Sequence, residues 1–352
     1  MTPNLSYSKK KYLEMTKTKW KSQKEGFKEA LSYIVGRREG KITSFRTPWK
    51  YLNDATTDGL EWGSITVIGG RPGSGKTLVK DQLIREGIKL NCTLEQYERA
   101  EFPFRILEFQ FEMLSRVSAI REFSSVIGKS YKYISSAERG KLISEEDFNI
   151  CLQHARKRVK YPIDIVDDPC TVTEFKKTVE DYMKHHAVET EDEQVTYRNT
   201  VVTLDHSVLL KKDKGEKDKI EMLYNFGEMI TELKRKYPIC FVILSQLNRS
   251  VESPERNVEG SYGNYILDSD IFGADALLQH ADTLIGLNRP GQKKIHIYGP
   301  QRFIIPDDKM LVMHFLKCRN GETGTSFFKA EFDKMRIVET ATPPTSEKKM
   351  KI

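Results

Sequence analysis

The sequence predicts an α/β fold: a mainly parallel β-sheet flanked by helices, with antiparallel strands at the C-terminal edge and a short helical N-terminal extension. Three observations carry this. From about residue 46, short apolar runs alternate with stretches of helical periodicity. A glycine-rich loop joins the first of these runs to the first of these helices. The last apolar runs follow one another with no helix between them.

The elements read in order as follows. Phe27, Ala30, Leu31, Ile34 and Val35 recur at helical spacing and predict an amphipathic helix over 21–36, stopped by Gly36 and Gly40. Its apolar stripe needs a cover, either its own core or a neighbouring subunit. Strand 64–69 leads into helix 77–89. Strand 105–111 precedes helices near 114–127 and 145–159. Strand 163–166 is followed by helix 173–186. Strand 200–204 leads toward a long helix marked by Ile220, Leu223, Phe226, Ile230 and Leu233. Strands 239–244, 283–287, 311–316 and 326–332 complete the set. Residues 188–199 and 341–352 are polar or Pro/Lys-rich and read as loop and tail.

At 38% hydrophobic over 352 residues, the chain can bury a large core. No apolar run approaches the about 20 residues that span a bilayer. No apolar segment follows the lysine-rich N-terminus, so no secretory signal is read and a cytoplasmic location is expected. Five scattered cysteines (Cys92, Cys151, Cys170, Cys240, Cys318) without C-x-x-C spacing read as reduced thiols rather than a zinc site. His185-His186 reads as a solvated helix end. The net charge of +7 is uneven: residues 1–50 hold 13 Lys/Arg against 4 Asp/Glu, which leaves the rest of the chain at −2. Any polyanion contact must therefore come from the arm or from local loops.

Gly70-Arg71-Pro72-Gly73-Ser74-Gly75-Lys76-Thr77 matches G-x-x-x-x-G-K-[ST] between a strand and a helix. Glycines let backbone N–H groups turn toward phosphates, and the helix N-terminus adds partial positive charge. Lys76 is placed for the β- and γ-phosphates of ATP, and the Thr77 hydroxyl for Mg²⁺. Asp205 ends the buried strand Val201-Val202-Thr203-Leu204 and is the second expected Mg²⁺ residue. Glu112 follows strand 105–111 and is the candidate for orienting the attacking water. Glu108, earlier in that strand, is the alternative. Gln246 ends strand 239–244, where an amide can report on the γ-phosphate.

These pieces, in this order, resemble the C-terminal ATPase domain of DnaB-type replicative helicases in the RecA superfamily. The likeness runs over roughly residues 45–338. It rests on Gly59-Leu60-Glu61-Trp62-Gly63 before the first strand, Phe109-Gln110-Phe111-Glu112-Met113, Leu204-Asp205-His206, Ser245-Gln246-Leu247-Asn248-Arg249, and Lys317-Cys318-Arg319-Asn320-Gly321. The resemblance implies a RecA-like core, ATP and Mg²⁺ as cofactors, and a homo-hexameric ring on single-stranded DNA. Its ATP sites would lie between subunits, with Lys317 and Arg319 reaching the neighbour's site. Primase or loader proteins are the implied partners.

It also implies DNA-contacting loops. One candidate is the lysine-dense 211–219, whose acids nearly balance its lysines. The other is 249–273, with Tyr262 and Tyr265. The expected division is a basic arm and linker-type helix (1–45), the ATPase domain (46–340) and a tail (341–352). The family's sizeable N-terminal domain has no counterpart in the 45 residues before the core, and no primase-type zinc cysteines occur. A recombination ATPase of RecA or RadA type, or a nucleotide-binding assembly module with little turnover, are the competing readings.

Overall fold

Among the described residues of the computed structural model, nine strands form the central sheet, in the spatial order β13-β12-β11-β8-β1-β7-β6-β2-β3. In chain order they are β1 (Ile65–Gly70), β2 (Phe104–Gln110), β3 (Ile163–Val166), β6 (Asn199–Asp205), β7 (Ile239–Gln246), β8 (Thr283–Asn288), β11 (Met310–Cys318), β12 (Gly324–Glu331) and β13 (Arg336–Glu339). The six strands from β3 to β8 run parallel. β11, β12 and β13 continue the edge antiparallel, as expected from runs with no helix between them. Two hairpins stand apart from this sheet. β4 (Val188–Glu189) pairs with β5 (Val195–Thr196), and β9 (Ile297–Tyr298) with β10 (Phe303–Ile304). The structure describes residues 20–189, 195–257 and 265–346. Most of the basic arm, Tyr262 and the last six residues of the tail lie outside that set.

The chain divides into two compact units, Met1–Thr43 and Ser44–Ile352. In the first, α1 (Gln23–Arg38) starts at a capping box in which Ser22 and Glu25 satisfy each other's backbone N–H groups. Gly36, expected to stop the helix, lies inside it. The Ile42 side chain folds so close that a Cβ there would sit 2.6 Å from Ile42 Cδ1. The chain turns away only at Gly40, at φ 68°. Phe27, Leu31, Ile34 and Val35 are exposed.

In the second unit, helices cover both faces of the sheet. They are α2 (Lys50–Ala55), α3 (Lys76–Leu90), α4 (Leu94–Arg99), α5 (Ser115–Ile127), α6 (Tyr131–Ile134), α7 (Glu145–Arg158), α8 (Val172–His185), α9 (Lys219–Lys236) and α10 (Ala274–Leu278). The central strands are apolar on both sides because both sides are covered. Ile239, Phe241 and Ile243 of β7 pack with Phe175 and Val179 of α8 and with Phe226, Ile230 and Leu233 of α9. The alternating Cys240, Val242 and Leu244 pack with Val79, Leu83 and Ile84 of α3 and Leu52 of α2. This two-sided burial holds the carboxyl ends of β1, β2, β6 and β7 side by side.

The structure departs from the sequence reading at the periphery. Of residues 188–199, read as a loop, 190–194 lie outside the described residues; among the others, Val188–Glu189 pairs antiparallel with Val195–Thr196 and Asn199 starts β6. Residues 341–346 are not a free tail, since Ile304 N–H donates to Thr345 O (2.9 Å) and Ser346 Oγ to Gln301 O. β13, four residues with an exposed Val338, is too short to show a period.

Candidate active site

The loop after β1 turns on two glycines at positive φ, Gly73 at 78° and Gly75 at 95°. Gly75 is the cap residue of α3, so the loop wraps the amino end of a fifteen-residue helix. Lys76 Nζ donates to Gly70 O (2.7 Å) and Arg71 O (3.3 Å) inside this wrap. Burial pushes its pKa down, and the carboxylates of Asp205 and Glu112 pull the other way. Arg71 reaches outward to Leu247 O (3.3 Å) and Glu252 (2.8 Å), which Lys293 also meets at 3.1 Å. Arg289 closes the rim. It donates to Gly73 O (3.2 Å) and Asp308 O (3.1 Å), and its guanidinium lies 3.7 Å from the centre of the Phe332 ring.

β6 is parallel to β2 and to β7, and β7 to β1, so one strand separates Asp205 from the loop. The Thr77 hydroxyl donates to Asp205 Oδ2 at 2.8 Å across that gap. The other oxygen, Oδ1, is buried and has no hydrogen-bond partner. A hydroxyl and a carboxylate with an unsatisfied buried oxygen, beside a phosphate-type loop, fit a hard divalent cation such as Mg²⁺.

Glu112 and Gln246 converge on one side chain, His206. Gln246 Nε2 lies 3.1 Å from His206 Nε2, and Glu112 Oε2 lies 3.8 Å from the same nitrogen. Burial lowers the His206 pKa from its ordinary value, against the pull of Glu112 and Asp205. Glu112 is 55% exposed and so is accessible to water, unlike Glu108. Glu108 is buried and accepts from Lys80 Nζ at 2.9 Å and from Gln110 Nε2 at 3.1 Å. Burial would raise its pKa, but the Lys80 ammonium outweighs burial and holds the carboxyl below its ordinary range. Glu108 is therefore committed to a buried ion pair, not to water.

Lys317 and Arg319 stand at the other end of the sheet. β11 runs antiparallel to β8, and Cys318 pairs with Thr283, the first residue of β8. The loop that follows β1 leaves from the opposite end. Six strand residues separate the two ends, about 17 Å at 3.3 Å per residue. Neither cation can reach its own Thr77. Lys317 Nζ donates to Leu278 O (2.6 Å), and Arg319 Nη1 to Asp282 Oδ1 (3.0 Å). Burial lowers the Lys317 pKa, and the Arg319 charge lowers it further. The turn beyond them packs on the end of α2, where a Cβ on Gly321 would sit 2.0 Å from Ala55 O.

A family model for the DnaB-like helicase C-terminal domain matches residues 44–338. The chain belongs to the DnaB-like helicase C-terminal domain family. Among solved structures, the ATPase domain of G40P superposes with a TM-score of 0.70 at 17% identity, over 89% of this chain and 98% of that one. The structure of a DnaB-like replicative helicase and its interactions with primase superposes with a TM-score of 0.69 at 16% identity, over 94% of this chain and 69% of that one. Both show the RecA-like fold. No curated protein matches the chain.

Within this DnaB-like domain, both candidate DNA segments begin at the same end of the sheet as the nucleotide loop, after β6 and after β7. Segment 211–219 is partly turned inward. Lys212 Nζ donates to Lys217 O (3.0 Å), Lys219 Nζ bonds Leu210 O, and Asp213 accepts from Thr173 N–H (3.0 Å). Lys211, Lys214 and Lys217 stay exposed. In the second loop, Arg256 is anchored on Asp270 at 2.6 Å. His206, Arg289 and Asp282 carry site contacts that motif reading did not single out. The signal for His206 was its position directly after Asp205. Arg289 and Asp282 gave none beyond their places at the two ends of β8. Among the described residues no group of three or more His, Cys, Asp or Glu could hold a metal, and no helix is long and apolar enough to cross a membrane.

Proposed function

We propose that this DnaB-like domain hydrolyses MgATP at sites shared between subunits and uses the energy to move along single-stranded DNA and unwind a replication fork. The observation that carries the reading is the pairing of Thr77 with Asp205 at 2.8 Å, leaving a buried Asp205 oxygen unsatisfied next to Lys76. Thr77 and Asp205 would hold Mg²⁺, which when bound neutralises charge on the β- and γ-phosphates. The N–H groups of the 70–77 loop cradle those phosphates, and Lys76 turns from Gly70 O to meet them. Glu112 orients a water for in-line attack on the γ-phosphorus and takes up its proton as the bond to the β-phosphate oxygen breaks. Gln246 reads the γ-phosphate, and His206 couples its position to Glu112.

Lys317 and Arg319 serve the neighbouring subunit, because their own site is out of reach. An arginine supplied this way can raise the rate by about 10³–10⁵. The exposed apolar residues of α1 suit a linker helix that packs on the adjacent subunit of a hexameric ring. Segment 211–219 and the described residues of 249–273 follow β6 and β7 at the same end of the sheet as the nucleotide loop, which supports a role for them in carrying the strand. Arg71 ties the nucleotide loop to Glu252 in the second of them, a direct path from phosphate to DNA loop. The test is displacement of a strand from a forked duplex with ATP. The wild-type chain should displace it and Lys76→Ala should not. ATP-dependent assembly on DNA with no displacement would favour the recombination-type reading.

A further inference from the structure

The Asp282 carboxylate joins three elements at the sheet end remote from the nucleotide loop. Its Oδ2 accepts from the N–H of Ile65, the first residue of β1 (2.8 Å), and from Lys234 Nζ near the end of α9 (2.5 Å). Its Oδ1 accepts from Arg319 Nη1 (3.0 Å), and its backbone oxygen accepts the Arg319 N–H (2.8 Å). The Asp282 side chain is 15% exposed and that of Arg319 52%. One guanidinium nitrogen is thus held on a largely covered anchor. A guanidinium carries five N–H donors, so most of them remain at the surface. Lys234 adds a second cation on the same carboxylate, and the Asp282 charge offsets the repulsion between Lys317 and Arg319. The packing of Gly321 on Ala55 O fixes the turn from the other side.

We propose that Asp282 is a positioning residue for Arg319, holding its guanidinium in the orientation that enters the neighbouring subunit's nucleotide site. This rests on the reading of Arg319 as acting in trans. An unanchored arginine samples many rotamers, and only a few would place its donors on the phosphoryl group. Anchoring one nitrogen removes that loss before the subunits meet. Asp282 touches no nucleotide itself. Its effect passes through Arg319 and is therefore felt in the next subunit.

That last point makes the proposal testable by mixing full-length subunits. Asp282→Asn keeps the side-chain shape and the acceptor for Ile65 N–H but removes the charge. It should lower ATPase kcat roughly tenfold with KM within about twofold, because the variant subunit still binds ATP with its own loop. Mixing with Lys76→Ala subunits should restore activity. Those subunits cannot turn over ATP, but they present an intact, anchored Arg319 to the variant's site. A mixture of Arg319→Ala with Lys76→Ala is the control for action in trans, and it should recover as well. Asp282→Glu serves if the amide variant does not fold. The extra methylene shifts the anchor, and the same recovery is expected. An unchanged or raised kcat in Asp282→Asn would overturn the proposal. So would a loss that Lys76→Ala subunits fail to relieve while the Arg319→Ala control recovers, since Asp282 would then act within its own subunit. No recovery in the control would overturn the trans reading itself, and the proposal with it.

Discussion

Replacing Lys80 by Met should unbalance the interior behind the nucleotide loop. Lys80 sits one turn beyond Lys76 on α3, its side chain 1% exposed, at 2.9 Å from both Glu108 and Asp81. Burial alone would lower the ammonium pKa, but the two carboxylates outweigh it and hold it well above its ordinary value. Without Lys80, Glu108 remains buried with the Gln110 amide as its hydrogen-bond donor and the Arg158 charge nearby, and Asp81 loses its cation. Removing one member of a buried ion pair costs about 3–5 kcal/mol. The retained amide donor places the loss near the lower figure. At about 2–4 °C per kcal/mol for a domain approaching this size, the melting midpoint should fall by about 6–12 °C. Pairing Lys80→Met with Glu108→Leu removes the more deeply buried of the two pairs, leaves only the Asp81 carboxylate, which is 18% exposed, and should recover part of that loss. The two changes should therefore be non-additive by about 1–3 kcal/mol. The assay is thermal unfolding of the four members of this cycle, followed by tryptophan fluorescence, with the buried Trp49 as reporter. A fall below about 2 °C for Lys80→Met, or strict additivity, would refute the reasoning, because the charges would then be solvated in practice.

Three further outcomes follow. Glu112→Gln should lower kcat by roughly 10²–10⁴-fold while leaving ATP affinity near wild type, whereas Glu108→Gln should act on stability; single-turnover hydrolysis with parallel melts separates the two. Gly321→Ala must push its Cβ off Ala55 O, so it should cost about 1–3 kcal/mol in melts and reduce ATPase activity by displacing Arg319, with ATP binding by fluorescence titration intact. Burial pushes the pKa of His314 down to about 3 beside Tyr298 (2.6 Å), so between pH 6.5 and that value the unfolded chain binds a proton that the folded chain does not. The His314 contribution is fully present above pH 6.5 and is lost on acidification. Denaturant titrations should show about 2 kcal/mol less stability at pH 5 than at pH 7 from this group, and His314→Asn should remove that part of the difference.

The parts of the site legible in the sequence were those whose chemistry demands a local pattern. A loop that turns sharply into a helix needs its glycines and a helix start in one short run, so the turn at 70–77, with Gly73 and Gly75 at positive φ, was readable from the sequence. Asp205, Glu112 and Gln246 each stand at the end of an apolar strand, and the strand order then brings Asp205 beside Thr77 and sets Glu112 and Gln246 against the same ring nitrogen of His206. The antiparallel edge was readable because no helix separates its runs. Contacts between distant segments were not legible. Nothing local in the sequence pairs Lys80 with Glu108, which lies 28 positions away and meets it only where α3 packs on the sheet. Asp282 reads as a loop residue, and its partners lie 217, 48 and 37 positions away. Gly36 reads as a helix stop by composition, yet the fold uses its missing side chain to seat Ile42.

The most direct test of the account is the steady-state ATPase rate of the full chain with and without single-stranded DNA, with Lys76→Ala as control. A site formed by Thr77, Asp205, Glu112 and a neighbour's Arg319 should turn over MgATP, accelerate on DNA and fall silent in the variant. Tight MgATP binding with no turnover in either condition would contradict it.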